Sequence, residues 1–145
     1  MTATCTHDAD RYAWAEQQAG LLRAGRLSEL DFDYLAEEMD SIMGDERREL
    51  VKRFRVLIAH LLKWRYQPEA RSNSWRSTIR CQRDDIADVL SGSPSLRPTV
   101  PEKIAAAYPK AVALASDEAG KPRAAFPREC PFTPAELLDD EFWPD

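Results

Sequence analysis

Two histidines, His7 and His60, are the side chains of this 145-residue chain whose unperturbed pKa lies close to neutral pH. His60 has the richer setting. Counted at 100° per residue along a helix, it lies about 40° from Trp64, with Gln67 beside it and Arg53 near the same flank. On an earlier helix Glu38 borders the same kind of apolar edge, next to Ile42; on a later one Gln82 falls within the apolar face and Arg83 at its margin. If these groups converge between helices, Glu38 orients His60 as a general base and the Arg83 fork holds an anionic substrate group, the arrangement of a small hydrolase or transferase. The same residues also read as a structural network in which buried polar groups satisfy one another, since leaving one unsatisfied costs about 1–3 kcal/mol.

Other chemistries lack their usual residue patterns. Di-iron bundles need Glu-x-x-His elements, yet Thr4 and Leu57 stand three before His7 and His60, and neither histidine is followed by glutamate as in H-E-x-x-H. The remaining metal reading would use Glu37, Glu38 and His60, and we expect no metal. Five glycines leave little material for phosphate-cradling loops, and no nucleotide or nucleophile-elbow motif occurs, so no cofactor is expected. Cys5, Cys81 and Cys130 are odd in number and scattered, matching neither a disulfide framework nor a zinc spacing. Cys81 has arginines nearby that would lower its pKa but no evident base.

Charge is patterned more sharply than chemistry. Residues 1–44 hold three basic and nine acidic side chains, residues 45–83 eleven and four, and residues 84–145 six and twelve, within a net charge of −5. In the stretch 60–83, Trp64, Tyr66 and Trp75 stand among Lys63 and five arginines. Two readings follow. Either the basic band is a face for an acidic protein or nucleic acid, with Trp64, Gln67, Arg71, Trp75, Gln82 and Arg83 as binding residues, or it pairs internally with the acidic flanking helices. The first makes the protein an interaction module.

The elements that would position these residues are helical throughout. Periodicities of 3.6 recur and no sustained alternation bounded by hairpin signals appears, so the class is all-α, a bundle of about five to seven helices. A first helix runs from about Asp10, a candidate N-cap, to Ala24 before Gly25, burying Tyr12, Ala15, Ala19 and Leu22. A second runs from about Asp31 to Met43, with Phe32, Leu35, Met39, Ile42 and Met43 on one side, and Gly44 ends it. These two form an antiparallel hairpin against a long third helix, Asp45 to Tyr66, and a fourth that opens after Ser72 or Ser74 and ends near Leu90. The wide apolar arc of the third makes it central, and Pro68 stops it. In the proline-rich last third, Thr99 and Thr133 each open a capping box, Pro109 kinks or divides a helix ending near Gly120, and Phe142 and Trp143 fold back on the core.

The length suits one domain, 1–145, with residues 1–9 as a flexible N-terminus. The apolar runs are far short of a membrane span and the N-terminus has no apolar leader segment, so a cytoplasmic location is expected. A homodimer is compatible with wide apolar faces.

The blocks EEMDSIM (37–43), HLLKWRYQP (60–68), RSNSWRSTIRCQR (71–83), SPSL (93–96), YPKA (108–111) and FPRECPFTPAELL (126–138) occur in order at matching separations. Together they resemble the bacterial family catalogued as domain of unknown function 29, from Tyr12 to Phe142. The resemblance implies a compact helical domain and carries over no activity and no catalytic residue.

Overall fold

The computed structural model describes residues 6–145 of the chain. Among them there are helices and no strands: α1 (Arg11–Arg23), α2 (Phe32–Tyr66), α3 (Asn73–Gly92), α4 (Val100–Ala119) and α5 (Pro134–Leu138), joined by short 3₁₀ turns. The chain forms two compact units with the boundary after Gly44, and Cys5 lies outside the described residues.

In the N-terminal unit, Asp10 caps α1 by accepting a hydrogen bond from the Ala13 amide at 3.0 Å. The helix ends in a Schellman motif: Arg26 N–H reaches Leu21 O, Gly25 N–H reaches Leu22 O, and Gly25 takes the left-handed φ of 70°. The chain then returns antiparallel along the start of α2. Residues 6–9, which the sequence assigns to a flexible N-terminus, form a turn closed by Ala9 and Asp10 N–H on Thr6 O, and meet this hairpin where His7 bonds Glu38 and Asp8 accepts from the Tyr34 hydroxyl. The hairpin closes through an unexpected face. Trp14 and Gln18 are its buried residues; the Trp14 indole donates to Asp31 and Gln18 accepts from the Asp31 amide. By contrast Tyr12 is 79% exposed, Leu22 50%, Phe32 62%, Met39 57% and Ile42 55%. The large residues of both stripes that the periodicity assigns to the interior face outward apart from Leu35, which is half-buried like Ala19, because the contacts to Asp31 and Glu38 bring another side of each helix inward.

Gly44 does not end a second helix; α2 continues through it to Tyr66. An interior glycine costs a helix only about 1 kcal/mol relative to alanine. The residues after it are tolerant of helix, no proline follows, and Arg48–Asp45 and Arg53–Glu49 ion pairs support the next turns. Gly44 also lacks the positive φ of a helix stop.

The unit after Gly44 is built on the rest of α2. Phe54, Leu57, Ile58, Leu61 and Leu62 are fully buried, as the wide arc predicts, and pack in one cluster with Ile79, Ile86 and Leu90 of α3 and with Ile104, Ala107, Ala111 and Ala115 of α4. Ser72 caps α3 by accepting from the Trp75 amide. Thr99 forms no capping box: it lies in a 3₁₀ turn with helical dihedrals, and its hydroxyl donates to Leu96 O instead. Pro109 does not divide α4, which runs unbroken to Gly120, whose φ of 66° ends it. Pro109 removes the donor to the Ala105 carbonyl, and both residues lie on the exposed side of α4. Thr133 and Glu136 complete the second capping box, and Phe142 and Trp143 pack back onto Phe132 and Trp64.

Candidate functional site

In the unit of residues 45–145, α2 and α4 run side by side, and their polar flanks leave a cleft of about 480 Å³. Helical spacing builds its walls. Arg48, Lys52 and Arg55 recur at i, i+4 and i+7 on α2, with Arg47 beside them; Lys103 and Lys110 recur at i and i+7 on α4. Val51 and Ala106 supply an apolar floor, and Glu102 is the one acid at the rim, so six cations meet one carboxylate. Lys103 is only 9% exposed. The Arg55 Nε–H is buried without a hydrogen-bond partner. Arg48 pairs with Asp45, whereas among the described residues Arg47, Lys52, Arg55, Lys103 and Lys110 have no carboxylate at ion-pair distance. Cations held this close repel one another, and a multiply charged anion relieves that repulsion while satisfying the Arg55 donor.

The residues singled out in the sequence lie elsewhere, and all but Gln82 have partners of their own. Glu38 belongs to the N-terminal unit, where its carboxylate accepts from Arg11 Nε at 2.9 Å and bonds the His7 ring at 2.6 Å. Arg11 and then His7 hold its pKa down to about 2. Glu38 and Asp8 raise that of His7, whose ring stacks on Tyr34 at 4.4 Å. His60, in the other unit, donates from Nδ1 to Val56 O at 2.9 Å, and burial pushes its pKa below the ordinary imidazole value.

Several of the remaining candidates act on main-chain oxygens. Arg83, 3% exposed, donates from Nε to Leu137 O at 3.0 Å and from a terminal nitrogen to Glu136 O at 3.2 Å, covering the end of α5. Arg71 donates to Trp64 O at 2.7 Å with its guanidinium 4.9 Å from the Trp64 ring, and Gln67 reaches Ala119 O at the end of α4. Trp64 lies 4.8 Å from Trp143, over which the Arg76 and Arg83 guanidinium groups also sit. Trp75 receives the Lys63 ammonium, itself paired with Glu118. Gln82 Oε1 has no partner. Trp64 and Arg71 are thus brought together, with Arg83 near them across Trp143, while Glu38 and His60 are engaged in separate units.

Among the described residues, no three His, Cys, Asp or Glu side chains are grouped to hold a metal ion, and no helix is long and apolar enough to cross a membrane. Cys81 is an exposed free thiol, and burial raises the pKa of free Cys130.

Fold and cleft define an all-helical protein with a concentrated cationic recess. The chain belongs to the family described as domain of unknown function DUF29, whose model matches residues 6–143 and so spans both units. No curated protein and no solved structure matches it.

Proposed function

We propose that the protein is a binding module whose α2–α4 cleft receives a phosphate-bearing partner, in the form of a nucleic-acid backbone. The observation that carries this reading is the set of six cations and one acid around 480 Å³, with the Arg55 Nε–H buried and unpartnered. Arginine forks match phosphate oxygens in pairs, and cations repeating with the ~5.4 Å pitch of each helix can follow a strand that carries one charge per ~3.4 Å. The net charge of −5 opposes polyanion binding to the protein as a whole, so any such attraction is local.

Fluorescence anisotropy with a labelled single-stranded oligonucleotide tests the proposal. If the five cations without a carboxylate partner all engage phosphates, log K falls against log salt with a slope of about −3.5, roughly a 100-fold loss between 50 and 200 mM. The variants R55A and K103A should each weaken binding and flatten that slope by about 0.7. No binding at 50 mM salt, or binding untouched by the R55A/K103A pair, overturns the proposal. Polyglutamate binding as tightly as the oligonucleotide removes the phosphate preference and transfers the cleft to an acidic protein.

A further inference from the structure

We propose that the hairpin of α1 and the start of α2 pairs with the same hairpin of a second copy of this chain, forming a four-helix bundle about a two-fold axis. All seven large apolar side chains that stand exposed among the described residues belong to this unit, Leu27 and Met43 among them. Its interior consists of Trp14 and Gln18. Two helices sharing so small an interior need a further apolar surface to rest on, and a partner that is present whenever the chain is present meets that need.

The apolar residues form seams, exposed except at Ala19 and Leu35, which are half-buried. On α1, Tyr12, Ala15, Ala19 and Leu22 are spaced three, four and three apart; on α2, Phe32, Leu35, Met39 and Ile42 repeat the same spacing, the a/d pattern of a helix–helix contact. Trp14 and Gln18 mark the side of α1 that meets α2, and Tyr34 and Glu38 mark the reciprocal side. Each seam lies further round its helix in the same rotational sense. Because the two helices are antiparallel, that rotation brings both seams to one face of the hairpin.

Between the seams lies a groove of about 220 Å³, bordered by Ala15, Ala19, Leu22 and Leu35, with Trp14, Gln18 and the Arg11–Glu38 ion pair also lining it. Small residues make the hole, and Phe32, Met39 and Ile42 stand beside it as knobs. A face carrying both is complementary to itself, which is what an isologous two-fold contact requires. With Met43 beside the α2 seam by helical count, six exposed side chains at roughly 100 Å² each give about 600 Å² per copy, or about 1,200 Å² for two, at the lower end of the ~1,200–2,000 Å² of stable interfaces. Asp33, Glu37 and Asp40 project from the far side of α2 by helical count, while Glu38, which borders the groove, is already paired with Arg11 and His7.

Sedimentation equilibrium of the full chain between 1 and 100 µM is the test. The expected mass is twice the 16.5 kDa of the chain, and M39E/I42E should return it to one chain with helical circular dichroism retained. Added salt should leave the dimer intact, unlike binding in the basic cleft. In the unaltered protein, dilution should lower amide-exchange protection over residues 11–43 before 45–145, a readout that holds even if the double variant fails to fold. A single-chain mass at 100 µM, a dimer that M39E/I42E leaves unchanged, or protection of 11–43 independent of concentration overturns the pairing. Capture of a different protein by this face, with the chain alone remaining single, also overturns it.

Discussion

Replacing Arg83 by methionine separates an arginine that waits for a substrate from one that holds the chain together. In the structure its side chain is 3% exposed and makes two bonds, at 3.0 Å to Leu137 O and 3.2 Å to Glu136 O, while its second terminal nitrogen is buried without a partner. Hydrogen bonds involving a charged group contribute about 1.5–3 kcal/mol each, so losing both removes about 3–6 kcal/mol; relieving the unpartnered nitrogen returns about 1–3 kcal/mol. Methionine fills much of the space, and water reaches part of the freed carbonyls. R83M should therefore lower the unfolding free energy by about 2 kcal/mol, a fall in Tm of roughly 6–8 °C for a chain of this size. Urea denaturation followed by circular dichroism, with an unchanged m-value, measures it. A binding-site arginine kept buried for a ligand predicts the opposite, because removing an unsatisfied charge is neutral or stabilising. Stability within about 0.5 kcal/mol of the unaltered protein, or above it, would refute the anchoring argument.

The histidines supply a second measurement. His7 has its pKa raised, so its contribution is complete below 6.5 and is lost as pH climbs through the raised value; Glu38, lowered to about 2, contributes above 4.5 and loses that contribution as pH falls toward 2. Amide protection in α1, taken relative to the intrinsic exchange rate at each pH, should be greatest between about pH 4.5 and 6.5, and H7Q should abolish the loss on the alkaline side; an identical profile in H7Q would contradict the pairing. Two glycines of the same hairpin should respond with opposite signs. Gly20 is inside α1 with open space where a Cβ would go, so G20A should stabilise by about 1 kcal/mol, whereas Gly25 at φ 70° makes G25A destabilising by about 1 kcal/mol. Thermal denaturation of both variants checks the order.

Local signals were readable where the physics is local. Asp10, Gly25, Ser72 and the Thr133–Glu136 pair act within four residues of themselves, and each forms the cap or stop expected of it. Gly44 and Thr99 carry the same letters in other company: one is carried through by helix-tolerant neighbours, and the other is drawn into a 3₁₀ turn. Periodicity marks the apolar stripes on α1 and α2 but not the face that joins the two helices, where Trp14, Gln18 and Asp31 make the contact. The basic band was visible as a count. Its cleft was not, because the cations at 48, 52 and 55 acquire Lys103 and Lys110 as neighbours only when α2 lies along α4. Arg83 reads as a residue at an apolar margin and Arg71 as part of the basic band, yet the acceptors of both are carbonyl oxygens, which leave no mark in a sequence.

Those carbonyls have a consequence for how the irregular last third can change. Tyr108 grips Pro127 O, Lys121 grips Tyr66 O, and Arg83 grips the oxygens of Glu136 and Leu137. Every residue type presents the same backbone oxygen, so the gripped positions are free to exchange side chains wherever packing allows, while the gripping ones are not. Drift in this family's C-terminal segment should therefore be lopsided: donors held fast, and the stretches they fasten rewritten around them.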